Sequence, residues 1–241
     1  MGIVIDGVVV SSGIAIGNIY GTSGSSANNS SPVTTTLPNI TFTGSSITSG
    51  GTAQSVSNPS IPAIQISNTR RPLNYHTQKL SLDFTSNGYF ATNMANGGHF
   101  AFIMEQVGDV NTNRSGRGFV IGNLSAYYHN GMMTGSTVVP SMLAETFIAN
   151  GSHMVQGSNS APQLSDNVTY HVEATVADRP GITPTIDLQL FKGGTLIQSL
   201  HFVDTYNTVT HGGQGLAILH VFSPSPGWSM DFSNISVTWT P

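Results

Sequence analysis

Asp109, Asn111, Asn113 and Ser115 place oxygen-bearing side chains at every second position of GDVNTNRSGRG, over 108–118. Alternating oxygens are how a calcium loop is built. However, Arg114 stands where an EF-hand needs glycine, and Val120 where it needs a bidentate acid. A Ca2+ ion on Asp109, Asn111 and Asn113 is therefore the one cofactor the pattern leaves open, and no other is expected. Two further readings remain. The segment can be a polar hairpin loop held by Asx-turns. It can also be a sugar-contact loop, in which Asp109, Asn111, Arg114 and Arg117 bond hydroxyls bidentately and an arginine meets an acidic sugar's carboxylate.

Two more groups could touch a sugar. Tyr127, Tyr128, His129 and Asn130 are consecutive, and neighbours in a strand point to opposite faces. One tyrosine would then be core, while Tyr128 with His129 would offer a stacking and hydrogen-bonding pair. In SPSPGW, over 223–228, two prolines stiffen a loop that presents Trp228. Trp228 reads equally as a sugar-stacking residue and as a buried cover. Trp239 reads as core or interface.

Catalytic patterns are missing. Glycoside hydrolysis needs a pair of carboxylates flanking the scissile bond. Here Glu105, Asp109, Glu145, Glu173 and Asp187 sit singly. There is no Gly-x-Ser-x-Gly elbow and no phosphate loop. The histidines are scattered without an H-x-x-x-H pair, and His171 and His201 fall on polar strand faces. Cysteine is absent, which removes disulfides, thiolate nucleophiles and zinc-thiolate sites. The reading is non-enzymatic, with a polysaccharide depolymerase as the alternative.

Composition sets the class of partner. Of 241 residues, only 7% are charged and the formal net charge is -4. Gly, Ser, Thr and Asn supply roughly two-fifths of the chain, far above ordinary usage. Water must be met by hydroxyls and amides rather than ions. Seven Lys and Arg are too few and too scattered for nucleic acid. No run approaches the roughly 20 apolar residues of a membrane-spanning helix, and residues 1–10 carry no basic, cleavable leader pattern.

These residues need β-strands to position them. Short β-branched and aromatic runs are punctuated about every 8–12 residues by Gly, Asn and Pro, the cadence of an all-β sandwich or barrel. Residues 170–176 and 186–190 alternate apolar and polar, as half-buried antiparallel strands do. Residues 88–92, GYFAT, read as a strand. Residues 140–150 read as a short helix, with a competing strand over 145–149. Asp6-Gly7 between Ile/Val runs predicts a hairpin. Residues 1–69 hold one charged side chain, Asp6. The expected division is an extended β-rich arm with a Ser/Thr/Asn-rich linker over 1–69, and a β-sandwich head over 70–241.

Residues 166–239 resemble the closing part of a concanavalin A-like jelly roll: VTYHVEATV, TIDLQLFKGGTLIQSL with its Lys192-Gly193-Gly194 hairpin, GQGLAILHVF and DFSNISVTW. The resemblance implies an antiparallel two-sheet jelly-roll sandwich whose last strand returns beside the first. The whole layout resembles tail fibres or receptor-binding proteins of tailed bacteriophages. That resemblance implies a homotrimer on the virion, docked to other virion proteins through residues 1–36 and binding a host cell-surface glycan. It also implies an extracellular location after release. A capsid decoration or head-fibre protein is the other placement.

Overall fold

The computed structural model describes residues 3–5, 8–10, 31–44, 46–54, 63–66, 71–72, 74–93, 99–107, 115–123, 140–147, 153–155, 163–205, 215–221 and 227–241. The chain divides into two compact units, Met1–Ser30 and Ser31–Pro241. In the first, β1 (Ile3–Ile5) pairs antiparallel with β2 (Val8–Val10), with Ile5 opposite Val8. This is the hairpin that Asp6-Gly7 predicts.

The second unit is an antiparallel two-sheet sandwich. Its strands are β3 (Val33–Thr36), β4 (Ile40–Thr43), β5 (Ile47–Ser49), β6 (Thr52–Gln54), β7 (Ala63–Ile66), β8 (Thr77–Asn87), β9 (His99–Val107), β10 (Ser115–Asn123) and β11 (Pro140–Phe147). They continue with β12 (His153–Val155), β13 (Thr169–Ala177), β14 (Thr185–Lys192), β15 (Thr195–Val203), β16 (Gly215–Val221) and β17 (Ser229–Thr240). One sheet has six strands in the order β12-β11-β10-β9-β16-β7. The other has nine, ordered β15-β14-β13-β8-β17-β4-β5-β6, with β3 also on β17. The closing strand β17 lies against β8, the first long strand, as the jelly-roll resemblance implies.

The division expected after residue 69 is corrected by this topology. β4 extends the nine-stranded sheet through β17, and β7 completes the six-stranded sheet beside β16. Ile40, Phe42, Ile47 and Ile64 belong to the same core as the later strands. In β3, β4 and β5 the polar positions carry Thr and Ser rather than charged residues, within a sheet and not an arm.

Alternation builds the core. In β8, Leu80, Leu82 and Phe84 face inward; in β13, Tyr170, Val172, Ala174 and Val176 do so. They meet Phe100, Phe102, Met104, Phe119 and Ile121 of the facing sheet. Phe102 stacks on Phe119 at 4.4 Å, and Phe100 meets Phe42 edge-on at 5.3 Å. Strands β9 and β10 are buried on both faces, because Ala101, Ile103 and Val120 are also inaccessible to solvent. That explains their continuous apolar sequence.

Two local expectations change. The GYFAT segment is not a strand: Tyr89–Asn93 forms the short helix α1. The Asp166 carboxylate accepts from the backbone N–H of Phe90 at 3.0 Å and of Ala91 at 2.8 Å, supplying the partners that a helix start lacks. Conversely, where a helix was expected over 140–150, Pro140–Phe147 is strand β11, paired along its length with β10. Sheet pairing overrides a helical spacing that short.

Candidate carbohydrate-binding face

Two of the site residues expected from sequence fall among the described residues, and both are corrected. Trp228 is only 4% exposed. Gly227, at φ 93°, turns the chain so that the indole enters the core, 4.7 Å from the Tyr89 ring and 6.1 Å from Phe100. It is a cover of the hydrophobic core, not an open stacking platform. Arg117 is wholly buried. It shares the inward face of β10 with Phe119, two residues along. The remaining expected positions, Asp109, Asn111, Asn113, Arg114, Tyr128 and His129, lie outside the described residues, as does the calcium reading built on three of them. Among the described residues, no three His, Cys, Asp or Glu side chains are grouped to hold a metal.

Arg117 is held by three acids. Its Nε donates to Asp204 at 2.8 Å, and Nη1 donates to Asp178 at 3.1 Å and to Glu105 at 3.3 Å. Asp178 and Asp204 follow directly on β13 and β15, so the two strand ends deliver carboxylates to one guanidinium. Sequence reasoning passed over both. Their signal was an acid placed immediately after an alternating strand. Burial first, then the neighbouring Asp178 carboxylate, push the Glu105 carboxyl up to about 8, although Arg117 and Arg71 pull the other way. Burial also lowers His76, helped by Arg71 and Arg179. No external ligand reaches so enclosed a group, and its work is structural.

Open chemistry lies on the outer face of the nine-stranded sheet. Here the polar half of each alternating strand is half-exposed, and the registers align side chains in lateral rows. One row runs Phe191 (β14), His171 (β13), Asp83 (β8), Ser233 (β17). The next runs Gln189, Glu173, Ser81, Ser236, and a third runs His201, Asp187, Thr175, Lys79, Thr238.

The first row is the most organised. A carboxylate can only accept, so His171 donates from Nδ1 to Asp83 Oδ1 at 2.7 Å, which fixes the Nδ1–H tautomer. Asn234 donates to the other Asp83 oxygen at 2.6 Å. It does so from a bulge between Ser233 and Ser236, where its φ is 51°. His171 Nε2 lies 3.4 Å from Ser81 Oγ, and the ring is 37% exposed. The Phe191 ring stands 5.7 Å away. Beside this row, Lys79 pairs with Glu173 at 2.8 Å, and His201 with Asp187 at 2.5 Å. An oriented imidazole, a carboxylate, an amide and hydroxyls beside one partly open aromatic are what a polyhydroxylated ring requires: directional polar partners around an apolar surface. Sequence reading placed His171 and His201 on polar faces. It did not see Asn234 reaching Asp83, because the bulge that brings it round has no signature in the sequence.

No family model and no curated protein matches this chain. Among solved structures it is similar to a basic winged bean lectin bound to Tn-antigen, at TM-score 0.45 and 8% identity, covering 87% of this chain and 99% of that one. A peanut lectin with a nine-residue peptide gives TM-score 0.45 and 13% identity, covering 89% and 93%. An alginate lyase gives 0.41 and 12%, covering 85% and 96%. At these values the functional reading rests on this chain's own residues.

Proposed function

We propose that this chain is a non-enzymatic glycan-binding protein that uses the outer face of its nine-stranded sheet, centred on Phe191, His171, Asp83 and Asn234. The observation that carries the reading is the ordered first row. Both Asp83 oxygens are occupied in ways that orient His171 and Asn234, while the imidazole stays partly open to solvent beside an aromatic ring. Shallow faces of this kind bind weakly per site, and several copies on one carrier would gain by multivalency.

The carrier we propose is a tailed-bacteriophage particle. Two features support it: the separate N-terminal unit Met1–Ser30, whose one charged side chain is Asp6, and the charge-poor, cysteine-free composition. In this reading residues 1–36 dock to other virion proteins, three copies assemble, and the sandwich meets a host cell-surface polysaccharide. Immunogold labelling of particles and solution mass would test placement and trimer formation. A free monomer absent from particles would end this part of the proposal.

The Asp83–His171 pair favours one second reading, a depolymerase in which the oriented imidazole moves a proton. Incubation with host polysaccharide separates the two. Binding without new chain ends supports the first reading, and sustained product release that H171A abolishes supports the second.

A further inference from the structure

The row that holds Phe191 and His171 continues one strand further. In register with Phe191, on the neighbouring β15, stands Leu196, 48% exposed. A leucine exposed by itself needs no explanation. This one is aimed. Gln198 is buried opposite Leu190, so plain alternation would turn Leu196, two residues away, into the core as well. A register shift between Leu190 and Phe191 prevents it. Ile197 packs against the core, and Leu196 faces outward opposite Phe191. Re-aiming one side chain is what a β-bulge does. Directly opposed residues hold their Cβ atoms about 5 Å apart, so Leu196 and Phe191 form one apolar shelf beside His171. β15 is the last strand in the order of its sheet, a place where natural sheets usually put charge rather than an exposed leucine.

The polar border of this shelf accepts hydrogen bonds. With its Nδ1–H given to Asp83, His171 keeps a lone pair on Nε2. Ser81 Oγ, at 3.4 Å, is at the limit of a hydrogen bond to that nitrogen, so an incoming donor can take its place. Glu173 Oε1 lies 3.8 Å from Nε2, while Oε2 of the same carboxylate meets Lys79 at 2.8 Å. A ligand N–H or O–H set between Nε2 and Oε1 meets two acceptors, with bare hydrocarbon alongside. We propose, resting on the glycan-binding reading, that Leu196 is a specificity-determining residue and that the site takes a sugar with a methyl-bearing substituent, acetamido or 6-deoxy. The methyl rests on Leu196 and Phe191, and the neighbouring N–H or hydroxyl donates to His171 and Glu173. An unsubstituted hexose can satisfy the acceptors but leaves the leucine in water.

The test titrates the full chain with matched sugar pairs: N-acetylglucosamine against glucose, and 6-deoxygalactose against galactose. In at least one pair the methyl-bearing member should bind at least about fourfold more tightly, the factor that one buried methyl group supplies. Saturation-transfer NMR should find its methyl protons closest to the protein. L196S should remove the preference and leave the parent sugar's affinity unchanged. V203S takes a comparably exposed apolar residue from the same strand, opposite Thr185 and outside the row, and should change nothing. Leu196 and Val203 are 48% and 41% exposed, so both variants should be folded by circular dichroism. Equal affinities within both pairs would overturn the inference and leave the glycan-binding reading standing. So would a preference that survives L196S, or one that V203S removes as fully. Wild-type protein that binds other glycans on an array but none of these sugars would overturn it too, and protein that binds no glycan would end both.

Discussion

Arg117 is the side chain whose removal should cost most. R117M takes the guanidinium away from three buried carboxylates, and breaking such a cluster costs about 3–5 kcal/mol. Urea unfolding should show that loss, and R117K should recover only part of it, since one ammonium cannot reproduce the fork that reaches three acids. The pH dependence at Glu105 runs opposite to the ordinary carboxylate case. Its folded value, about 8, lies above its unfolded value, 4.5, so the folded state binds the extra proton. Stability from this group is complete below 4.5 and falls by about 1.4 kcal/mol per pH unit until pH 8. Equilibrium unfolding at a series of pH values checks both sign and window. Trp228 makes a separate point. As a core cover against Tyr89 and Phe100, W228A should lose about 3–5 kcal/mol of stability, yet the folded fraction should keep its glycan affinity. At this scale the sequence showed which residue types mattered but not where they faced. Arg117 and Trp228 were singled out as sugar contacts; burial takes Arg117 into an ion cluster and leaves Trp228 as the buried cover it equally read as.

The elements were legible where alternation was clean and obscure where tertiary partners decided. β13 and β14 follow their period of two through Val172, Ala174, Ile186 and Leu188. By contrast, Tyr89–Asn93 is helical because Asp166, distant in sequence, supplies its N-terminal partner. The β17 bulge was likewise hidden, and it is the element that brings Asn234 to Asp83. Its positive φ gives a test that separates backbone from side chain. N234A suffers both the left-handed backbone cost, about 1 kcal/mol, and the lost amide, whereas N234G suffers chiefly the second. Thermal melts should therefore rank N234G above N234A, with both below the wild type, and glycan affinity should fall in both.

For the whole molecule, a two-sheet all-β sandwich could be read from composition and cadence, because Gly/Asn/Pro punctuation at strand spacing admits few other architectures. The boundary could not. Residues 31–66 fall within the expected arm and linker of 1–69, yet Phe42 packs on Phe100 and Ile64 is core. A chain of residues 31–241 should therefore fold with the far-UV signature of the full protein, whereas one starting at residue 70 should not, since it lacks β3 to β7. The central claim is that the outer face of the nine-stranded sheet binds sugar. The most direct measurement is a glycan array, followed by titration of the best ligand, comparing the wild type with the H171A/F191A double variant. Both side chains are half-exposed, so the fold should persist by circular dichroism. The account predicts affinity at least about tenfold weaker, some 1.4 kcal/mol. Equal binding by a folded double variant would place the site elsewhere and contradict it.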